Sequence, residues 1–462
     1  MFGINKSMKS GLNIIIIGCG KVGRTLVEHL CEEGHDITVI DKRNERIQDM
    51  CNLYDVIGVC GNGASFSVQR EAGIADADLV IAVTGSDELN LLCCTVAKQS
   101  TDCAAIARVR TPDYNDDLEY LREKLGLARI INPELEAAKE VARILYLPAA
   151  LEVNSFAHDQ AEIVRFKLPE GNVLDNVKIM DMAKHVRHNI LICAVKRGED
   201  VFIPSGTFVL KSGDIISFIG TRKNCSNFLK RIGFDTHRVN DTMIVGGGKA
   251  AYYLADQLLR AGIQVTIIEC DLNRCEKLST LLPNAIIING DGTNEALLRE
   301  VGLETAESFV PLTGIDEENI MLTLHAKQVS HAKVITKVNR INFKNVLSQL
   351  DLGSVIYPKY ITSEKILAYV RAKQASKDSN IETLHHLSDN RVEAIEFHVK
   401  EESAVTNKTL LELQLKDNLL VSFISRRGRI FIPTGQDMIL VGDEVMIVTT
   451  HTGFHDLTDI LA

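Results

Sequence analysis

Gly18, Gly20 and Gly23 stand in the spacing G-x-G-x-x-G, and an acid, Asp41, follows 23 residues after the first of them. One kind of chemistry suits this set. The first glycine allows a sharp turn, the second lets the backbone approach a pyrophosphate, and the third lets a helix pack close to a strand. Cys19, Lys21 and Val22 fill the loop. A helix starting near Lys21 aims its unpaired N–H groups and the positive end of its dipole into the turn, where an anion belongs. Asp41 is placed to accept hydrogen bonds from ribose hydroxyls, and a 2′-phosphate beside it would be repelled. NAD(H) or an adenine nucleotide is therefore expected rather than NADP. Lys42 and Arg43 read as solvated residues at a helix start.

The set recurs. Gly246, Gly247, Gly248, Lys249 and Ala250, followed by Glu269, repeat it at a constant offset, 246 − 18 and 269 − 41 both being 228. Ala251 stands where a third glycine would, a replacement that the fingerprint tolerates. The second loop is not a P-loop, because Ala250 occupies the position that needs Ser or Thr. Arg108 and Arg110 lie two apart on a strand and so share a face. They read either as reaching a diphosphate or as forming a structural ion pair. The second copy has Lys337 and Asn339 in their places, so the two sites need not hold the same ligand.

Other chemistry is missing. A dehydrogenase needs a proton donor or acceptor near its nicotinamide, and His185, His188, His385 and His386 do not occupy matching places in the two copies. They read as exposed or packing histidines. No Ser-His-Asp set and no metal motif is present. The eleven cysteines include no CxxC pair and read as reduced, mostly buried residues of a cytosolic protein. A formal charge of −10 argues against a nucleic-acid partner. Apolar runs are strand length, well short of the roughly 20 residues of a bilayer span. The first twelve residues lack the apolar stretch of a signal peptide, and Met8 stands as an alternative start.

The elements that position these residues follow from periodicity. Ile14 to Ile17 make a β-branched run suited to a strand buried on both faces. Strands at 36–41, 56–60, 78–83, 104–109 and 128–131 alternate with helices at 42–52, 64–72, 90–99, 112–124 and 133–146, which implies a doubly wound parallel sheet. Residues 149–233 change character, with strand-like runs at 161–168, 190–195 and 215–219 between Gly, Pro and charge clusters, a small α+β module. Both parts repeat. Residues 61–99 and 290–328 share fourteen identities, and the Phe-Ile-Pro-x-Gly of 202–206 recurs at 431–435. The chain thus reads as a duplicated two-domain unit with parts at 11–148, 149–234, 240–374 and 378–462, and linkers near 147–150, 233–240 and 372–380.

These motifs resemble the RCK (or KTN) domains that regulate potassium conductance, in the tandem arrangement of the regulatory subunits of bacterial Trk uptake systems. The carriers are GCGKVG at 18–23, Asp41, GNGAS at 61–65, REAG-x-x-DAD at 70–78, VTGSDE-x-N at 83–90, ARVR at 107–110, and P-x-G…GD in both small modules. The resemblance implies a duplicated Rossmann-like α/β fold, each copy followed by a small α+β module. It places Gly18, Cys19, Gly20, Lys21 and Val22 at a diphosphate and Asp41 at a ribose, with Asn62, Thr84, Gly85 and Arg108 bordering the ligand. In the second copy Gly246, Gly247, Gly248, Lys249, Ala250, Glu269, Asp291 and Thr313 take similar places. It further implies NAD(H) and ATP/ADP as ligands and no catalysis. The expected assembly is a homo-oligomeric, tetrameric ring, cytoplasmic and peripheral on the inner face of the plasma membrane, docked on an integral-membrane potassium-translocating subunit of the TrkH/TrkG type. The rival expectation is a soluble NAD-dependent oxidoreductase with duplicated cofactor domains.

Overall fold

The computed structural model describes residues 11–156, 160–186, 189–234, 236, 238–339, 347, 350–375, 381–387, 391–454 and 456–462. The first repeat runs β1 (Asn13–Ile17), α1 (Lys21–Glu32), β2 (Asp36–Asp41), α2 (Asn44–Leu53), β3 (Ile57–Cys60), α3 (Phe66–Glu71), β4 (Leu79–Ala82), α4 (Asp87–Ser100), β5 (Ala104–Arg108), α5 (Leu118–Lys124), β6 (Arg129–Ile131) and α6 (Pro133–Tyr146). Its six strands are parallel in the order β3-β2-β1-β4-β5-β6. The four isoleucines of β1 are at most 3% exposed, because β2 and β4 flank the strand and helices cover both faces. On one face Cys93, Cys94 and Ala97 of α4 pack with Ala105 and Ala107 of β5, small side chains that let helix and sheet approach closely. The order reverses between β1 and β4, which opens a crevice at their carboxyl ends.

Two expected helices are shorter than the pattern suggested. Residues 112–117 form a 3₁₀ segment that leads into α5, since Pro112 starts a turn that α geometry takes up only at Leu118. The helix expected at 64–72 is confined to α3, with Gly73 left-handed at φ +82° just beyond it.

The small module that follows contains β7 (Glu152–Phe156), β8 (Ala161–Lys167), α7 (Met182–His185), β9 (Leu191–Arg197), β10 (Asp200–Phe202), β11 (Ile215–Gly220) and α8 (Arg222–Arg231). Its antiparallel order is β10-β9-β11-β8-β7. The second repeat then gives β12 (Asp241–Val245), α9 (Lys249–Arg260), β13 (Gln264–Glu269), α10 (Leu272–Leu281), β14 (Ile286–Asn289), α11 (Glu295–Glu300), β15 (Ser308–Pro311), α12 (Asp316–Val329), β16 (Lys333–Lys337) and β17 (Ser354–Ile356). Its parallel order, β14-β13-β12-β15-β16-β17, reproduces the first. A helix, Pro358–Ala375, precedes the last sheet, β18 (Ile381–Leu387), β19 (Val392–His398), β20 (Leu419–Arg426), β21 (Arg429–Phe431) and β22 (Glu444–Thr449). That helix takes in residues 372–375, which the polar composition had suggested as linker. Ala, Lys and Gln are good helix formers despite their polarity. Residues 376–380 lie outside the described part.

Compactness groups the chain into two units that cut across the repeat. One unit combines the residues up to Ala138 with Gly248–Leu254 and Tyr357–Leu367; the other combines Lys139–Gly247, Ala255–Ile356 and Ala368–Ala462. Within the first unit the ring of Tyr360 lies 6.0 Å from that of His29, and Lys365 pairs with Glu136. Within the second unit the two small sheets pack face to face. Phe156, Ala161, Ile163, Cys193 and Ile219 share a core with Val392, Ala394, Phe423, Met446 and Val448. Each module also carries an ion pair at its Gly-Asp signature, between a buried aspartate and a half-exposed arginine. Arg197 donates to both oxygens of Asp214 at 2.7 Å, and Arg426 to both of Asp443 at 2.8 and 2.7 Å, with both aspartates 1% exposed. The signature is thus a structural clamp behind left-handed Gly213 and Gly442.

Candidate functional site

A cleft of about 460 Å³ opens at the carboxyl ends of β1, β2 and β4. Gly18, with φ +108°, makes the turn after β1, and its amide donates to the Ile40 carbonyl at 2.8 Å. A Cβ on Gly23 would lie 2.0 Å from the Gly18 carbonyl oxygen, so only glycine lets α1 sit this close to the turn. A Cβ on Gly20 would meet nothing within 4 Å, because it would project into open space at the N-terminus of α1. Gly18, Gly20, Lys21, Val22, Asp41, Thr84, Gly85 and Arg108 all line this cleft.

Asp41 is already partly engaged. Its Oδ2 accepts the Cys19 amide at 2.8 Å, its Oδ1 accepts the Arg43 amide at 2.9 Å, and Arg46 Nη1 lies 3.6 Å from Oδ2. A carboxylate offers about four acceptor positions, which leaves capacity for a ribose. Lys42 and Arg43 are exposed, as expected, yet they also line the mouth of the cleft. Arg46 lines it too and was not singled out from the sequence; an arginine five residues beyond the terminal acid, in the first turn of α2, was the available signal.

Two residues fall outside the lining. The Cys19 side chain is 8% exposed, and burial first, then the Asp41 charge, pushes its thiol up to about 12. Its backbone amide, rather than its side chain, serves the site by holding Asp41. Asn62 is exposed, and its side-chain oxygen turns back to the Ala64 amide at 3.3 Å, leaving Gly61 and Gly63 to line the cleft.

The far wall divides the two arginines. Arg108 Nη2 donates to the Thr84 carbonyl, and its Nε is buried without a hydrogen-bond partner among the described residues. Burial, then the adjacent Arg110 charge, lowers its pKa from the ordinary guanidinium value, an environment that an anionic ligand would relieve. Arg110 instead makes the ion pair. Its Nε lies 3.5 Å from Asp87 Oδ1, while its Nη2 donates to the Gly85 carbonyl at 2.7 Å. Thr84 is fixed by Asn90, whose Oδ1 accepts both the Thr84 amide and hydroxyl at 2.7 Å and whose Nδ2 donates to the Arg108 carbonyl at 2.8 Å.

The second copy repeats the backbone arrangement of the first and differs in its side chains. In the second unit, Glu269 accepts the Gly247 amide at 2.6 Å and the Asp271 amide at 2.9 Å, and Arg274 Nε donates to the Gly247 carbonyl at 2.6 Å. Hydrogen bonds from those backbone amides outweigh the burial that opposes charge, and they hold Glu269 below the usual carboxylate range. Gly246 is left-handed at φ +97°. Asp291 folds back on Thr293, and Thr313 is held by Asn319 at 2.9 Å. Lys337 Nζ, in the place of Arg108, donates to the Leu312 carbonyl at 3.2 Å. Gly248, Lys249 and Ala250 belong to the first unit, where Lys249 Nζ donates to Thr111 Oγ1 at 3.0 Å.

Among the described residues no group of His, Cys, Asp and Glu is placed to hold a metal, and no helix is long and apolar enough to cross a membrane. His185 is exposed at the end of α7, His385 and His386 fall on β18, and His188 lies outside the described residues. Seven of the eleven cysteines are buried and none is in a disulfide, in line with their reading as small core residues.

Comparison with known proteins matches the TrkA-N domain model to residues 14–133 and 242–358 and the TrkA-C domain model to residues 163–233 and 394–462. The Trk system potassium uptake protein TrkA of Haemophilus influenzae is 30% identical over 440 residues, 94% of this chain and 95% of that protein. TrkA homolog 1 of Methanosarcina mazei is 29% identical over 449 residues, 94% and 97% of the two chains. Among solved structures, the GsuK channel bound to NAD superposes with a TM-score of 0.63 at 19% identity, covering 96% of this chain and 78% of that one. The GsuK RCK domain gives the same score and identity and is 93% covered. The superpositions establish the duplicated Rossmann-like fold with its small α+β modules.

Proposed function

The chain belongs to the family of proteins built from TrkA-N and TrkA-C domains, and from that premise we propose that it is a nucleotide-binding regulatory subunit of a potassium transport system. The observation that carries the reading is the first cleft. A glycine turn at a helix N-terminus, the Asp41 carboxylate and the buried Arg108 guanidinium converge on one space large enough for a nucleotide. These residues fit a diphosphate-linked ligand: Gly20 leaves room for it, Arg108 has an unpaired Nε to offer, and Asp41 retains acceptor positions.

The site binds without transforming. Its lining is taken as binding groups: Asp41 for a ribose, and Lys21 at the helix N-terminus with Arg108 for a diphosphate. NAD(H) and ADP or ATP are the proposed ligands, with Gly18 to Val22 at the diphosphate, Asp41 at the ribose, and Thr84, Gly85 and Arg108 along the far wall. The second site, with Lys337 in place of Arg108, is proposed to bind more weakly or to select another nucleotide. The working assembly is a homotetrameric ring on the cytoplasmic face of the membrane, docked on a TrkH/TrkG-type potassium-translocating subunit. A nucleotide acts there by preferring one shape of the ring, and a coupling of ~1–3 kcal/mol changes the ratio of states roughly 5- to 150-fold.

The test is a calorimetric titration of NAD, NADH, ATP and ADP against wild type, Asp41→Ala and Glu269→Ala, with potassium uptake measured in cells that carry the membrane partner. Loss of affinity in Asp41→Ala together with loss of nucleotide-dependent uptake supports the proposal. Unchanged affinity for all four ligands refutes it, and hydride transfer to a small substrate by the purified chain would favour an oxidoreductase.

A further inference from the structure

The wall of the first cleft is braced by a helix that belongs, by sequence, to the second repeat. Gly248–Leu254 forms part of the first unit, and two side chains of its first turns meet the segment just after β5. Lys249 Nζ donates to Thr111 Oγ1 at 3.0 Å. The Tyr253 hydroxyl donates to the Arg110 carbonyl at 3.1 Å and accepts from Asn132 Nδ2 at 2.9 Å. Tyr253 is 2% exposed and Asn132 4%, so the bond between them is made away from water, where losing it leaves a partner unsatisfied, while the bonds to Thr111 and Arg110 are half-buried.

Arg110 and Thr111 are also gripped from the other side. The buried Asp87 carboxylate accepts the Arg110 amide at 2.9 Å, the Thr111 amide at 2.8 Å and the Thr111 hydroxyl at 2.7 Å. From this fixed point the Arg110 side chain reaches back to the Gly85 carbonyl at 2.7 Å, and Gly85 lines the cleft. The chain of contacts is continuous: Lys249 to Thr111, Thr111 to Asp87 and its neighbour Arg110, Arg110 to Gly85. The arrangement is not inherited through the repeat. The equivalents of Lys249 and Tyr253 in the first copy, at an offset of 228, are Lys21, which lines the cleft, and Thr25, whose hydroxyl bonds its own helix at the Lys21 carbonyl.

We infer that Lys249 and Tyr253 are positioning residues for the first nucleotide site, holding its Thr84–Gly85 wall through Arg110, Thr111 and Asp87. The inference rests on the reading of that cleft as a nucleotide site. Its consequence is that the second glycine loop gives up its lysine to support the first cleft, which makes the two copies functionally unequal. A nucleotide that orders the wall also tightens the hold on the second repeat's helix, because the same hydrogen bonds are shared by both.

The test is site-resolved amide hydrogen exchange on the full chain, with NADH and ADP as probes, in wild type, Lys249→Ala, Lys249→Arg and Tyr253→Phe. Protection at residues 18–24 and 83–88 against nucleotide concentration gives the affinity of the first cleft alone. Lys249→Ala and Tyr253→Phe are expected to speed exchange of residues 83–88 and 108–111 in ligand-free protein and to weaken that affinity by about three- to tenfold, the size of one hydrogen bond. Lys249→Arg restores most of both. Exchange and affinity within twofold of wild type, or faster exchange spread evenly over the chain, would overturn the inference. If wild type itself gains no protection from either nucleotide, the functional reading fails, while the ligand-free comparison still decides whether the brace exists.

Discussion

Two glycines of the same loop separate the fold from the ligand. A methyl group on Gly23 would lie 2.0 Å from the Gly18 carbonyl oxygen and 3.1 Å from its carbon, both backbone atoms that cannot rotate aside. Gly23→Ala must therefore push α1 away from β1, and overpacking of this kind costs about 1–3 kcal/mol. A methyl on Gly20 would meet no protein atom within 4 Å, and Gly20 has φ −74° and ψ −170°, backbone that alanine adopts readily. Gly20→Ala should leave stability nearly unchanged, a small loss of capping being offset by reduced freedom of the unfolded chain. That methyl stands where a diphosphate must approach the backbone. Displacing charge-assisted hydrogen bonds worth about 1.5–3 kcal/mol predicts a Kd raised roughly 10- to 150-fold. Thermal unfolding and calorimetric titration with NADH on both variants make the comparison. Gly23→Ala should lose a few degrees of Tm and affinity together, and Gly20→Ala affinity alone. Wild-type affinity in Gly20→Ala would show that no diphosphate sits on this loop, and the site assignment would fall.

Replacing Arg108 by Met keeps its bulk but removes the buried charge facing the cleft, and nucleotide affinity should fall about tenfold; a change under twofold in the same titration would contradict its role. Asp214→Asn removes the charge that accepts the half-exposed Arg197 guanidinium in the first small module, and a loss of about 1.5–3 kcal/mol, that of hydrogen bonds to a charged group, is expected in denaturant unfolding, with Asp443→Asn behaving alike in the second. For pH, burial opposes the charge on Asp87, but hydrogen bonds from Thr111 and Arg110 outweigh it and lower its pKa from the ordinary carboxylate value. Its contribution is therefore full above about pH 4, the unfolded value, and is lost only as pH falls further. Exchange of residues 108–111 should accordingly be insensitive between pH 7 and 5, after correction for the intrinsic rate, and rise in stronger acid. Burial raises the thiol of Cys93 to about 12, so alkylation at pH 8 should label exposed Cys51 and Cys60 and spare Cys93 and Cys94.

The β1-turn-α1-β2 unit, its recurrence 228 residues later and the parallel, doubly wound character of the large sheets were legible because each rests on a local rule. A β-branched run such as Ile14 to Ile17 needs burial on both sides, glycines are needed where Cβ has no room, and alternating strand and helix leave one handedness of crossover. The small modules were legible only in part. Strands β8, β11, β19 and β22 place apolar residues on both faces, since one face meets the module's own core and the other the opposite sheet. Without alternation, periodicity could not reveal that a second sheet was required.

Spacing alone put Arg108 and Arg110 on one face and went no further. Tertiary structure divided them, because Asp87, 21 residues before Arg108, reaches the backbone of Arg110 and Thr111 and draws one arginine into an ion pair while the other stays in the cleft. Lys249 shows the same limit. Its place in a glycine loop was written in the local sequence, but its partner, Thr111, is 138 residues away. Residue types and short spacings determine what a segment can bind; which of its side chains remain available for binding is decided by long-range packing, since a hydrogen bond made elsewhere in the fold removes a donor from the site.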